Sequence, residues 1–228
     1  MEPGRRYRVK ATRRPIQNLI SDTSRSPDRR DSTMPATLLA YTITSSLVND
    51  RYPSLSVGSG GGNDETYFRP AHPQNNSYWI VIIDATNPRV KVKEWIVPGE
   101  NNAVPGGIDT YMNDPDYIFA VATQTLSTLH VPQGAFFDFL VKYGAGRELQ
   151  RLEQLNSALG YGLYGQVSYI LTSQCGPRGG PLPSPPSYEV GAYTNPALLM
   201  MSLESLPDGA PPYSIADINT FIPRRPHP

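Results

Sequence analysis

Six consecutive apolar residues, Tyr78-Trp79-Ile80-Val81-Ile82-Ile83, stop at Asp84. The side chains of a strand point alternately to opposite faces, so an apolar run without alternation suits a strand covered on both of them. The run has the length of a strand and about half that of an ordinary helix. It therefore predicts a central strand of a buried sheet. Tyr117-Ile118-Phe119-Ala120-Val121-Ala122-Thr123 reads the same way and predicts a second one.

Around these runs the period changes. Val90-Lys91-Val92-Lys93 alternates, placing the two valines on one face and the two lysines on the other. Asn87-Pro88-Arg89 supplies a turn, so 90–97 is expected to fold back on the central strand as an antiparallel hairpin. Residues 132–143 carry Phe136, Leu140 and Tyr143 on one helical stripe, with Phe137 and Val141 beside it. Gly144-Ala145-Gly146 breaks that helix. Residues 147–159 then repeat Leu149, Leu152, Leu155 and Leu159 at helical spacing, and Gly160 stands where a helix end favours glycine. Val167, Tyr169 and Leu171 share one face of a closing strand, 166–174. Elements in this order predict an α/β fold: a single compact domain with a mixed β-sheet and a packed helical pair.

The flanks are less regular. Residues 38–48 are rich in β-branched and apolar residues and end at Asn49-Asp50, a strand and its turn. The glycines of 58–64 are followed by neither Lys-Ser/Thr nor a helix, so they make a flexible loop and not a phosphate cradle. Residues 176–186 form a proline- and glycine-rich loop, and 197–206 an edge strand or a short helix. Ile215 and Ile218 are expected to dock an irregular tail, 207–228, on a domain spanning 34–206.

Residues 1–33 differ in kind. They hold nine Lys/Arg against four acids, a net of +5, with apolar residues scattered and aperiodic. Such a segment buries too little surface to offset its ordering entropy and is expected to be a disordered basic leader. It is a tail for an acidic partner, a targeting peptide (which its four acids oppose), or a stretch upstream of a true start at Met34.

The formal net charge of the whole chain is zero, so the rest carries about −5, which argues against nucleic-acid binding except through the leader. Cys175 is the only cysteine and cannot close an intramolecular disulfide. With no apolar h-region behind the basic N-terminus, a signal peptide is not expected and a reducing compartment is favoured. No stretch approaches the roughly 20 apolar residues of a membrane-spanning helix.

Chemistry has little to stand on. His72, His130 and His227 lack a Gly-x-Ser-x-Gly partner, and no two histidines have ligand spacing, so neither metal nor cofactor is expected. Asp109, Asp114 and Asp116 cluster without the spacing of a calcium loop and suit a turn before a strand. Tyrosine is more telling, with 14 in the chain. Tyr161-Gly162-Leu163-Tyr164-Gly165 presents two of them on a glycine-rich loop. Either these rings cover the edge of the core, or they offer an amphipathic contact surface. On the second reading Asp109, Tyr111, Tyr161 and Tyr164 are the candidate ligand contacts, through aromatic stacking and carboxylate hydrogen bonds that suit a sugar ring. The expectation is a non-catalytic module that binds carbohydrate or a protein partner. Two alternatives stand beside it. One is a structural subunit of a larger phage-like or bacterial assembly, homo- or hetero-oligomeric. The other is an enzyme using Asp109 as acid or base.

The strand ending at Asp84, its hairpin partner, Asp109-Thr110-Tyr111, the strand 117–123, the helix ending Leu159-Gly160 and the strand Ser168-Tyr169-Ile170-Leu171 together resemble the interleukin-like EMT inducer (ILEI) domain. In that family a Phe-Asp-Thr-Tyr motif follows the first hairpin and a Leu-Gly helix end precedes a strand. The resemblance covers about 77–191 and places Glu189-Val190-Gly191 at the family's last conserved loop. It implies an α/β domain that acts by binding, as in cytokine-like secreted members and a carbohydrate-recognising glycosyltransferase stem. Ile108 stands where the family has an aromatic residue, and Cys175 is alone where secreted members form disulfides.

Overall fold

The computed structural model describes residues 37–49, 51–59, 64–159, 165–178, 184–205 and 212–216. The chain divides into Met1–Ser32 and Thr33–Pro228. The first unit, which holds nearly all of the expected leader, lies outside the described residues, as do Tyr161, Tyr164 and Ile218.

The second unit opens with β1 (Leu38–Thr44), β2 (Ser54–Gly58) and β3 (Thr66–Phe68). Next come β4 (Ser77–Asp84), β5 (Lys91–Pro98), α1 (Asp109–Met112), β6 (Tyr117–Gln124) and β7 (Leu126–Ser127). After a short 3-10 turn at Thr128–His130 follow α2 (Gly134–Lys142), α3 (Arg147–Leu159), β8 (Gln166–Gln174) and β9 (Ser187–Tyr193). The chain then returns through β10 (Leu198–Glu204) and β11 (Ser214–Ala216).

The α/β class and the helical pair are as expected, but the strands divide between two sheets where the sequence predicts one. The first sheet runs β11-β10-β1-β2-β3, and the second runs β5-β4-β6-β8 with β9 on the far side of β8. Every ladder between named strands is antiparallel, and the single parallel contact among the described residues is an isolated bridge, Ser46 to Gln124. The segment 197–206, within its described residues, is neither edge strand nor helix. Leu199, Met201 and Leu203 point inward with the two-residue period of a strand, and β10 pairs on both sides, with β1 and β11.

β4 lies between β5 and β6, as its apolar run requires. Tyr78, Ile80 and Ile82 face the helical layer, where Phe136, Leu140, Tyr143, Leu149 and Leu152 meet Phe119, Val121, Tyr169 and Leu171. Trp79, Val81 and Ile83 face the other way and pack on Tyr41, Ile43, Leu55, Val57, Met201 and Leu203 of the first sheet. On the opposite face of that first sheet, Thr42, Thr44, Ser54 and Ser56 alternate outward. The expected shared face of Val90 and Val92 stays exposed, while Val97 is buried and Trp95 packs half-buried against the helical-side core.

β6 and β7 pair with the same edge of β8, interrupted between Ala122 and Leu126. The Thr123 hydroxyl takes the Tyr169 N–H at 2.9 Å within this break. Between the sheets, Tyr41 Oη and Thr172 Oγ1 lie 2.9 Å apart, and Thr172 Oγ1 donates to the Phe119 carbonyl at 3.1 Å. These buried polar groups are thus satisfied where the ladder cannot serve them.

The helical layer is fixed by one carboxylate. Glu189, on β9, accepts the N–H groups of Gly146 at 3.0 Å, Glu148 at 2.8 Å and Leu149 at 3.3 Å, and the Tyr169 hydroxyl at 2.8 Å. It answers donors at the start of α3 that no helical carbonyl can reach. Glu189-Val190-Gly191 therefore sits inside a strand and not in a loop. On the opposite edge, Glu94 of β5 takes Lys91 Nζ at 2.8 Å, Trp79 Nε1 at 3.0 Å and the Ala71 N–H at 3.1 Å. Partial burial raises its pKa, but the hydrogen bonds from Lys91, Trp79 and Ala71 outweigh that and hold it below the ordinary value.

Glu189→Ala leaves these donors at the base of α3 without their acceptor and is expected to cost about 2 kcal/mol, read by urea unfolding. The depressed carboxyl of Glu94 lends stability that is complete above its unfolded value of 4.5 and drains as the pH falls further. Glu94→Gln should therefore lower the melting temperature at neutral pH and much less at pH values below the folded pKa, as thermal unfolding across that range will read.

Candidate functional site

Antiparallel neighbours alternate direction, so β4 begins, β6 ends, β8 begins and β9 ends at one end of the second sheet. Asn76, just before β4, organises that end. Its Oδ1 accepts the Ser127 N–H at 3.1 Å and lies 2.9 Å from His130 Nδ1, and its Nδ2 donates to Glu100 at 3.1 Å. Its own N–H goes to Thr125 Oγ1 at 3.1 Å, and its carbonyl takes the Gly99 N–H at 2.6 Å. A Cβ on Gly99 would stand 2.9 Å from Asn76 O, Asn76 Oδ1 and His130 Cβ, so this close approach requires glycine. The Tyr78 hydroxyl donates to the His130 carbonyl and ties the 3-10 turn to β4.

Three non-glycine residues have a left-handed backbone among the described residues: Asn76 (φ 54°), Thr125 (φ 44°) and Thr194 (φ 58°). Asparagine tolerates this region, whereas a β-branched threonine is strained there. All three line one groove of about 500 Å³, together with Leu47, Ser127, Gly165 and Gln166. Gly165 is confined by Tyr193, whose hydroxyl would stand 2.5 Å from an added Cβ. Strained backbone in folded proteins tends to collect at sites of function.

Among the described residues no lining side chain is ionisable, so the groove offers amide, hydroxyl and backbone groups and no charge. The Asn76 amide is already engaged on both atoms. The Ser127 hydroxyl takes the Leu129 N–H at 3.2 Å. Gln166 and Thr194 are exposed, and their side chains make no hydrogen bond among the described residues, so theirs are the polar groups of the lining left open. This chemistry matches a neutral, polyhydroxylated or amide-bearing molecule.

The residues expected from sequence do not converge. Asp109 is exposed at the start of α1 and has no hydrogen-bond or ion-pair partner among the described residues. Tyr111 is half-buried and edge-on to Trp95 and Tyr117, with ring centroids 6.1 and 5.2 Å apart. Tyr117 pairs with Asp84, at the far end of β4 from Asn76. Neither Asp109 nor Tyr111 lines the groove. Tyr161 and Tyr164 lie outside the described residues, although their loop ends in sequence at Gly165, which does line it.

Other groups are committed elsewhere. Asp84 accepts the Thr86 N–H and hydroxyl at 2.7 and 2.6 Å and the Asn87 N–H at 3.3 Å, which makes the turn into β5. Asp114 accepts the Asp116 N–H at 3.0 Å, the turn chemistry expected of that acidic cluster. No group of three metal-ligating side chains gathers among the described residues. Cys175 is buried, and burial pushes its thiol up to about 12, against an opposing pull from Arg178. A second cleft, of about 410 Å³, contains Arg89 and Asp64, which neutralise each other at 2.5 Å. No helix is long and apolar enough to cross a membrane among the described residues.

No family model, curated protein or solved structure matches the chain.

The signals for the groove are weak in the sequence. Asn75-Asn76, directly before the apolar run of β4, marks a turn but not a hub, and nothing in Thr125 or Thr194 announces a left-handed backbone. Thr194→Gly removes a β-branched left-handed residue from an exposed corner and is expected to stabilise the fold by about 1 kcal/mol. Chemical denaturation reads this, and an unchanged or lower stability would mean that the corner holds no strain.

Proposed function

We propose that the chain is a non-catalytic recognition module, and that the groove at the Asn76 end of the second sheet takes a neutral carbohydrate. The observation that carries this reading is the uncharged lining, in which Gln166 and Thr194 present unengaged polar side chains on a corner closed by the Thr194 N–H to Gln166 carbonyl bond at 3.0 Å. Sugar hydroxyls both donate and accept, and an amide beside a hydroxyl answers both roles. Sites of this size hold small ligands, and rigid corners spare the cost of ordering the site on binding. Tyr161 and Tyr164, next to Gly165 in sequence, are the proposed stacking residues. The resemblance to the ILEI domain supports the same class of function. Asp109, exposed and without a partner among the described residues, gives the enzymatic alternative no second group to work with.

A glycan array followed by calorimetry on any hit tests the reading. Gln166→Ala is expected to weaken binding about tenfold, or ~1.4 kcal/mol, while Asp109→Asn leaves it unchanged. An array with no neutral glycan bound, or binding that survives Gln166→Ala and is lost in Asp109→Asn, overturns it.

A further inference from the structure

We infer that β9 is a dimerisation edge, and that its occupant is β9 of a second copy of this chain, paired antiparallel about a two-fold axis at Val190. The edges of the two sheets are not alike. β3 and β11 are three residues long. β5 carries Lys91 and Lys93, faces a register shift at Ile82/Ile83 and ends in Pro98, all of which discourage a further strand. β9 has seven residues, with neither lysine nor proline, and β8 is its one ladder partner among the described residues.

The ladder fixes which backbone groups face outward. Thr194 N–H donates to Gln166 O at 3.0 Å and Gln174 N–H to Pro186 O at 2.9 Å, both in the β8–β9 register. Hydrogen-bonded pairs recur every second residue, so Tyr188, Val190 and Ala192 turn their backbone groups to β8. Ser187, Glu189, Gly191 and Tyr193 turn theirs to the edge away from β8, where no strand pairs among the described residues. Of these, the Tyr193 carbonyl takes a long bond, 3.4 Å, from the Asn195 side chain.

The strand Ser187-Tyr188-Glu189-Val190-Gly191-Ala192-Tyr193 is complementary to itself about its centre. Pairing two copies at Val190 sets Glu189 opposite Gly191, Tyr188 opposite Ala192 and Ser187 opposite Tyr193. Each larger side chain meets a smaller one, and no like charges meet. The outward groups of 187, 189, 191 and 193 then form the hydrogen-bonded pairs. A two-fold axis at Glu189 would instead set two carboxylates against each other. An isologous contact of this kind closes at two subunits.

Sedimentation equilibrium from low to high micromolar concentration is expected to show a species of twice the 25.1 kDa chain mass. Val190→Cys places two thiols on Cα atoms about 4.5 Å apart, within disulfide range. It should cross-link under mild oxidation, while the wild type, whose Cys175 is buried, should not. Tyr193→Pro removes one outward donor without touching the β8 ladder and is expected to weaken the dimer at least tenfold, with circular dichroism confirming the fold. A wild type of single-chain mass throughout overturns the inference. So does a dimer in which folded Val190→Cys fails to cross-link, or one that Tyr193→Pro leaves intact.

Discussion

The second sheet is buried on both faces, and the rest of the structure answers to that constraint. β4 offers Tyr78, Ile80 and Ile82 to the helices and Trp79, Val81 and Ile83 to the first sheet, so neither cover can be removed without exposing a row of large apolar side chains. The middle of such a sheet has no surface on which to place chemistry. What it can present lies at its ends, where strands turn, and at its edges, where backbone groups stay open. Asn76 and its partners occupy one end, the Asp84 and Asp114 turns the other.

Glu189 shows how the layers are held in register. An apolar interface between helix and sheet is not directional, so packing alone does not fix where α3 begins. The carboxylate does, since it gathers N–H groups of the first turn and the Tyr169 hydroxyl from β8 at one point. Burial and the neighbouring Glu189 charge push the Tyr169 phenol well above its usual pKa, which keeps it a donor. Gly191, two residues on, lets Leu152 of α3 approach the strand closely.

Period and length make much of this legible in the sequence. The strands at 78–83 and 117–123, the hairpin to β5, both long helices and β8 are all visible in runs of side chains whose spacing reports the local backbone. The first sheet is harder to see. β2, β3 and β11 are short, and β10 pairs with β1 across most of the chain, a contact that no local period encodes. The candidate site is less legible still, for a related reason. Asp109, Tyr111, Tyr161 and Tyr164 stand out by residue type on loops, whereas the groove is made by where strand ends meet, and its lining residues are ordinary Asn, Thr, Ser and Gln.

The strain at the groove has a topological source. Asn76 lies on the passage from β3 of the first sheet to β4 of the second, and Thr194 on the return from β9 to β10. Thr125 stands where Ser46 bridges the sheets, its N–H bonded to the Ser46 carbonyl at 2.7 Å. Packed sheets lie about 10 Å apart, and the four residues between β9 and β10 must cover that gap while reversing direction. Left-handed corners turn the chain tightly enough to do so. The groove is the space these crossings leave between them, and its shape is therefore tied to the sheet packing and not to a loose loop. The backbone that carries Gln166 and Thr194 is tied to the sheet in the same way, by the Thr194 N–H to Gln166 carbonyl bond at 3.0 Å.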